Sequence, residues 1–186
     1  VQFPSIEDYR DIETINMYNE RIAKGFDQVE LMKGIHAKSR DNARTPMQWD
    51  ERENAGFTDG TPWIGVNPNY HEINAKQAME DKNSIFYYYK ELIAMRKRLP
   101  IMVEGSFELI HEDSTSLFAY LRHYENETLL VLNNFTADEL TVEWPDSLRG
   151  LKGDRLIGNY EDVESRSADG ETNLRPWESI VYHFRK

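Results

Sequence analysis

The chain has 186 residues, with 33 acidic and 22 basic side chains and a net charge of −11, a balance that argues against nucleic acid and against an anionic membrane surface as partners. The length suits one sizeable core, or a small domain with part of another. Cysteine is absent, so no disulfide framework exists and a cytoplasmic setting is expected; no apolar run reaches membrane-span length and no signal sequence opens the chain.

The opening, Val1-Gln2-Phe3-Pro4, lacks Met and reads as if cut from something longer. Residues 6–24 are expected to be helical, with Ile12, Ile15 and Ile22 on one apolar stripe and Gly25 as the C-cap. Asp27 then caps a second helix whose apolar residues are Val29, Leu31, Met32 and Ile35. Both helices are strongly charged on their other faces, so they are expected to cover a surface. Asp8, Asp11 and Glu13 read as solvated helix charges.

From Ser39 to Tyr70 the composition changes. Ser39-Arg40-Asp41-Asn42-Ala43-Arg44-Thr45-Pro46-Met47-Gln48-Trp49 is followed by Asn54-Ala55-Gly56-Phe57 and by Gly60-Thr61-Pro62-Trp63. Aliphatic residues are scarce, and Arg, Asn, Gly, Pro and aromatics dominate. A long loop with this content is functional rather than disordered. Thr45 and Gln48 form a capping box around Pro46, which predicts a helical turn near Met47 and Trp49. Arg40 and Arg44 each offer a fork of donors suited to a carboxylate or a pair of sugar hydroxyls. Trp49, Phe57 and Trp63 offer flat faces to a sugar ring. Two readings stand side by side: a structural loop tied down by two Arg–carboxylate pairs, or a binding loop. His71 and Glu72 do not make a zinc helix, because the second His is missing.

Residues 73–82 predict a short helix. Asn83 or Ser84 caps a longer one ending near Arg98, with Ile85, Phe86, Tyr89, Leu92, Ile93 and Arg96 as its inward stripe, Lys90, Glu91 and Lys97 outward, and Leu99-Pro100 as its stop. The aromatic run from Phe86 to Tyr89 reads as core packing. After Pro100 the period becomes that of strands: 107–110, 116–122, 128–132, 140–144 and 179–184, with weaker ones in 151–159 and 173–175. Residues 161–171 read as a polar turn. Short strands without intervening helices predict an antiparallel sandwich, with a domain boundary near Pro100. The sequons at Asn126 and Asn134 read as chance.

The run Ser39 to Trp49, with Ala55-Gly56-Phe57, Gly60 to Trp63 and Val66 to Asn74, resembles the oligo-1,6-glucosidase and α-glucosidase branch of glycoside hydrolase family 13, the α-amylase superfamily. The resemblance extends more weakly over nearly the whole chain. It implies an α+β fragment: residues 1–99 as the C-terminal helices and long loop of a (β/α)8 barrel after strand eight, and residues 100–186 as a β-sandwich, domain C. The parent would be a retaining exo-acting α-glucosidase on short oligosaccharides, needing no cofactor. Its catalytic carboxylates would lie on barrel strands four, five and seven, upstream of Val1. No residue here is then catalytic or a metal ligand, and Asp41, Asp50, Glu51 and Glu53 are structural.

The resemblance assigns substrate contacts to two positions. Arg44 would hold the non-reducing-end glucose together with an upstream Asp, and Arg40 would lie on the rim. Ala43 favours the oligo-1,6-glucosidase group over trehalose 6-phosphate hydrolases. The alternatives are a sucrose isomerase or a trehalose-6-phosphate hydrolase of the same superfamily, or a non-catalytic carbohydrate-binding module. Residues 100–186 are expected to fold independently and residues 1–99 to be the less stable part, their partner being the upstream barrel.

Overall fold

Acceptors supplied from distant parts of the chain decide where the first helix begins. In a computed structural model, which describes residues 1–161, 167–168 and 170–185, residues 6–24 are not one helix. A 3-10 turn covers Ile6–Asp8, and helix α1 covers Ile12–Ala23. The interruption is physical: the N–H groups of Arg10 and Asp11 donate to the side chain of Asp41 and not along a helix. The other end follows expectation. Gly25 has φ +82°, Gly25 N–H donates to Ile22 O and Phe26 N–H to Arg21 O, the double closure of a Schellman cap. Asp27 Oδ1 accepts from Glu30 N–H at 3.0 Å and starts helix α2, Gln28–Lys38.

Contacts divide the chain into two units, Val1–Tyr87 and Tyr88–Lys186. The core of the first is Phe3, Tyr9, Tyr18, Ile35 and Ile64. The predicted apolar stripe of α1 is not its buried face: Ile12 is 65% exposed, Ile22 is also exposed, and Thr14 and Tyr18 are buried instead. The Thr14 hydroxyl, hydrogen-bonded to Asp11 Oδ2 at 3.0 Å and to Ser39 Oγ at 3.0 Å, turns that face inward. Helix α3 covers Ala75–Glu80, with Asn74 as N-cap. Helix α4 covers Ile85–Arg98. Two apolar stripes meet on α4 at Leu92, and of the apolar residues of the predicted stripe only Leu92 is half-buried. Ile85, Phe86, Tyr89 and Ile93 are exposed, and the buried side chain is Met95, on the face that also carries Tyr88 and Leu92. Pro100 ends α4 and opens a further turn, α5, Ile101–Glu104, a position where its missing N–H is not needed.

The second unit holds a sandwich of two antiparallel sheets. The strands are β1 Ser106–Ile110, β2 Leu117–Tyr124, β3 Glu127–Asn134, β4 Leu140–Glu143, β5 Asp154–Gly158, β6 Ser167–Ala168, β7 Glu171–Leu174 and β8 Ser179–Arg185. The five-stranded sheet runs β1-β2-β3-β8-β5 and the three-stranded sheet β4-β7-β6. The predicted polar turn at 161–171 falls largely outside the described residues. Alternation sets the inner faces. Ala119, Leu121, Leu130, Leu132, Ile180, Tyr182 and Phe184 meet Val142, Trp144 and Leu174. The Trp144 ring lies edge-on to Phe184 at 5.3 Å, and its N–H donates to Thr172 Oγ1 at 2.8 Å, so the buried indole keeps a partner. Asn134, at the end of β3, is buried and gives both amide hydrogens to backbone, at Asp138 O and Arg175 O.

The outer face of the larger sheet carries Phe118, Tyr120, Leu129, Val131 and Val181. With Tyr88, Leu92 and Met95 of α4 they line a cavity of about 500 Å³. Arg122 on the same face donates to Ile101 O and Gly105 O, placing a cation at the carbonyl end of α5. No helix among the described residues is long and apolar enough to cross a membrane.

His183 also points to that outer face. It is 5% exposed, and its Nε2 lies 3.4 Å from Glu127 Oε1 without a hydrogen bond. Burial holds the imidazole below its ordinary 6.5, against the opposite pull of Glu127. The fold therefore prefers neutral His183. Below pH 6.5 the unfolded chain takes up a proton that the folded chain resists, so stability present at neutral pH is lost as pH falls. The urea midpoint should fall between pH 7.5 and 5.5, and His183→Leu should flatten that slope; an unchanged slope in the variant would assign the effect to other groups.

Candidate functional site

The segment between α2 and α3 builds its rigidity from side-chain-to-backbone bonds. A 3-10 turn, Arg40–Ala43, follows α2 directly. Asp41 is 2% exposed, and its Oδ2 accepts from Arg10 N–H at 2.6 Å and Asp11 N–H at 2.7 Å. Asn42 ties the turn on the other side. Its Nδ2 donates to Ile35 O at 2.9 Å and His36 O at 3.0 Å, and its Oδ1 accepts from the Tyr9 hydroxyl at 3.2 Å. The Val1 nitrogen donates to Asn42 O at 2.8 Å. Consecutive side chains thus bond to the approach to α1 and to the carbonyl end of α2, which satisfies backbone groups that helix ends leave open.

Arg40 turns to the entry of α1. Its Nε donates to Asp11 Oδ2 at 3.1 Å and its Nη2 to Asp11 Oδ1, a two-point pair, with Glu13 Oε2 at 3.2 Å. The guanidinium holds the Asp11 carboxyl below its ordinary 3.8, against the opposing cost of desolvation. Asp11 is therefore a buried, paired carboxylate and not the solvated helix charge expected from its position. Arg44 differs. Its backbone N–H closes the turn on Asp41 O at 3.1 Å, but its side chain is exposed and has no hydrogen-bond or ion-pair partner among the described residues. Of the two arginines, only Arg40 makes the Arg–carboxylate pair that a purely structural loop requires.

Beyond Arg44 the predicted helical turn is absent: Thr45–Trp49 contains no helix. The capping box fails because Gln48 is used elsewhere. Its Nε2 donates to Asn69 Oδ1 at 2.9 Å and also to Ile73 O. The Gln48 and Trp49 carbonyls accept from Ala75 N–H and Lys76 N–H, at 2.9 and 3.0 Å, so this extended piece caps the first turn of α3. Both Trp49 and Asp50 donate their N–H groups to Ala55 O. That reversal places Asn54 at φ 52° and Ala55 at φ 58°, left-handed conformations unusual for non-glycine residues. Asn54 Nδ2 supports the bend by donating to Gly60 O at 3.0 Å. Gly56, at φ +65°, is tight against Asp50, whose carboxylate lies 2.6 Å from where a Cβ would sit. Trp49, Phe57 and Trp63 are all exposed, Trp63 by 74%.

Three of these loop carboxylates are paired within the protein. Asp41 binds backbone, Asp50 pairs with Arg52 at 2.6 Å and Glu51 with Lys76 at 2.6 Å, and Glu53 faces solvent. Arg52 holds the Asp50 carboxyl, and Lys76 the Glu51 carboxyl, below their ordinary values. Sequence reasoning missed Asp11 and Asn42. Asp11 stands at a helix start where a free charge is equally plausible, and only the fold brings Arg40 to it.

In chain order the structure gives helices, a long polar loop, further helices and then a β-sandwich. The α-amylase catalytic domain family matches residues 10–105, and the α-amylase SusG C-terminal domain matches residues 117–181. The chain belongs to the α-amylase family. It is 54% identical over all 186 residues to an oligo-1,6-glucosidase of Parageobacillus thermoglucosidasius, and 48% identical over 187 residues to a trehalose-6-phosphate hydrolase of Bacillus subtilis. All of this chain and 33% of each relative are covered, so the chain spans about a third of the length of the relatives it matches. Among solved structures, the trehalose-6-phosphate hydrolase of Bacillus licheniformis superposes with a TM-score of 0.92 at 45% identity, covering 100% of this chain and 33% of that one. A trehalulose synthase, MutB, superposes with a TM-score of 0.91 at 36% identity, over 97% of this chain and 32% of that one.

The anchoring of the turn is testable by stability. Asn42→Ala leaves the Tyr9 hydroxyl, on a side chain 1% exposed, and the His36 carbonyl without the Asn42 partner, while Ile35 O keeps the Ser39 N–H, and should cost about 1–3 kcal/mol. Tyr9→Phe should cost less, and the double variant should fall short of the sum. Urea denaturation gives all three values; strict additivity would mean that Tyr9 and Asn42 are not coupled.

Proposed function

We propose that residues 1–186 are the C-terminal part of a retaining, exo-acting α-glucosidase that cleaves short α-linked glucose oligosaccharides, with residues 1–99 completing the catalytic barrel and residues 100–186 forming domain C. The observation that carries this reading is the Arg44 guanidinium, exposed and unengaged among the described residues, on a turn fixed from both sides. The identity of 54% to an oligo-1,6-glucosidase, sustained over the whole chain, supports the substrate class. The partner of this chain is the upstream part of the barrel, and the setting is cytoplasmic.

The chemistry is double displacement. A retaining glycosidase uses two carboxyl groups about 5–5.5 Å apart, one attacking the anomeric carbon and one protonating the leaving oxygen before activating water. In this reading both lie in the upstream part of the barrel. Arg44 contributes binding: its planar fork takes hydroxyls of the terminal glucose, and with an upstream carboxylate it closes the site behind the non-reducing end. That closure makes the action exo. Arg40 lies on the rim; Asp11 and Glu13 occupy its Nε and Nη2, and its Nη1 remains to meet a sugar hydroxyl at the leaving-group side.

A related reading is favoured by the 48% identity to a trehalose-6-phosphate hydrolase. Product analysis of the full-length protein separates the classes: free glucose from isomaltose supports the α-glucosidase, cleavage confined to trehalose 6-phosphate supports the hydrolase, and isomaltulose from sucrose supports an isomerase. In the full-length protein, Arg44→Ala should lower kcat/KM for p-nitrophenyl α-glucoside by about a hundredfold, the loss of charge-assisted hydrogen bonds worth about 1.5–3 kcal/mol. Arg44→Lys should recover little of it, since a point charge does not replace the fork. The 186-residue chain alone should be inactive on the same substrate, and activity there would place the catalytic carboxyl groups among these residues.

A further inference from the structure

The outer face of the five-stranded sheet is unevenly covered. Leu129 and Val131 at its centre are buried, whereas Phe107 and Leu109 of β1, Phe118 of β2 and Phe135 just past β3 are exposed, Phe135 by 61%. These side chains are not scattered. The Tyr120 ring lies 5.1 Å from that of Phe107 and 5.5 Å from that of Phe118. Contiguous exposed apolar surface marks an interaction site. Phe118, Tyr120 and Phe135 also line the cavity of about 500 Å³, together with Tyr88, Leu92 and Met95 of α4. On the adjoining stripe of α4, Tyr89 and Ile93 are exposed as well. A helix apolar on more than one side is built to be covered.

Charge narrows the choice of occupant. The chain carries −11 overall, yet the charged side chains that line the cavity among the described residues are two arginines, Arg96 and Arg122. Arg122 is engaged by the carbonyls of Ile101, Val103 and Gly105. Arg96 is exposed and has no hydrogen-bond or ion-pair partner among the described residues. We propose that this face and its cavity receive an amphipathic helix from the part of the full-length protein that precedes Val1, with its apolar stripe on Phe107, Phe118 and Phe135 and a carboxylate at its edge paired with Arg96. Length argues for that source: 33% of each relative is matched, which leaves about two thirds of such a chain to supply the cover. A sheet face that already carries one helix is completed by a second beside it, because layering lets both elements bury their apolar sides. The inference rests on the reading of this chain as the C-terminal part of a longer α-glucosidase.

The test uses the full-length protein. Residues 1–186 contain no cysteine, so Phe118→Cys, Phe135→Cys and, as an exposed control, Asp113→Cys each add one thiol to this part of the chain. Alkylation of that thiol is followed peptide by peptide by mass spectrometry. The two sheet-face thiols are expected to react at least about tenfold more slowly than the control, since a covered thiol waits for local opening. Arg96→Lys gives a second measurement that leaves the apolar face unchanged: carbodiimide coupling should join the introduced amine to an Asp or Glu that precedes Val1. Labelling of both thiols as fast as the control would overturn the proposal. So would an introduced amine that couples only within residues 1–186, or not at all. Cross-links that double the mass would give the face to a second copy and overturn it too. Isomaltose hydrolysis by the same samples separates the two readings. Unprotected thiols in an active enzyme sink the interface alone, whereas an inactive wild-type protein removes the glucosidase reading while the cross-link still decides the interface.

Discussion

Burying a carboxylate without a directly bonded cation is costly unless its lone pairs are met, and Asp41 meets that demand with backbone amides. Much of the first unit follows from this one constraint. The amides of Arg10 and Asp11 are drawn away from helix formation, so α1 starts at Ile12. The Asp11 side chain is thereby set at the helix entry, where it accepts both Thr14 and Arg40. Thr14 then selects the inward face of α1; of the isoleucines that sequence pattern would bury, Ile12 and Ile22 are exposed and Ile15 is half-buried.

The second unit obeys different physics. Its order comes from alternation of side chains between the two faces of short strands, and from apolar area shared between two sheets. Few polar groups enter that interior, and those that do are paired: the Trp144 indole with Thr172, and the Asn134 amide with two carbonyls. The contrast explains why one half of the chain is readable from hydrophobic period and the other is not.

The main strands from 107 to 184 were legible because each is short, β-branched or aromatic and bounded by turn residues. The caps at Gly25 and Asp27 were legible because their chemistry is local. Most of the failures are cases in which a distant group competes for a local one. Gln48 has the spacing of a capping residue, yet its amide is taken by Asn69 and Ile73. The stripe on α4 is ambiguous because Tyr88 and Met95 make a second apolar face that shares Leu92 with the first, and period alone does not choose between them. Arg40 and Arg44 are identical by residue type, and only the fold gives one a carboxylate and leaves the other's side chain open to solvent. Asp11 was unreadable for the reciprocal reason.

Asn134 carries a consequence for how the protein is produced. It stands in an Asn-Phe-Thr sequence, and in the fold its side chain is buried with both amide hydrogens engaged. A eukaryotic secretory pathway would meet that asparagine while the chain is still unfolded, before β3 has paired with β8. A glycan attached at that moment cannot be accommodated at a buried nitrogen already bonded to two carbonyls, and the sandwich would be blocked from closing. Synthesis in a compartment without oligosaccharyl transfer avoids this conflict, and replacing Thr136 by a residue that cannot complete the acceptor sequence would free the chain from the restriction at the cost of the hydroxyl that Thr136 shares with Asn134.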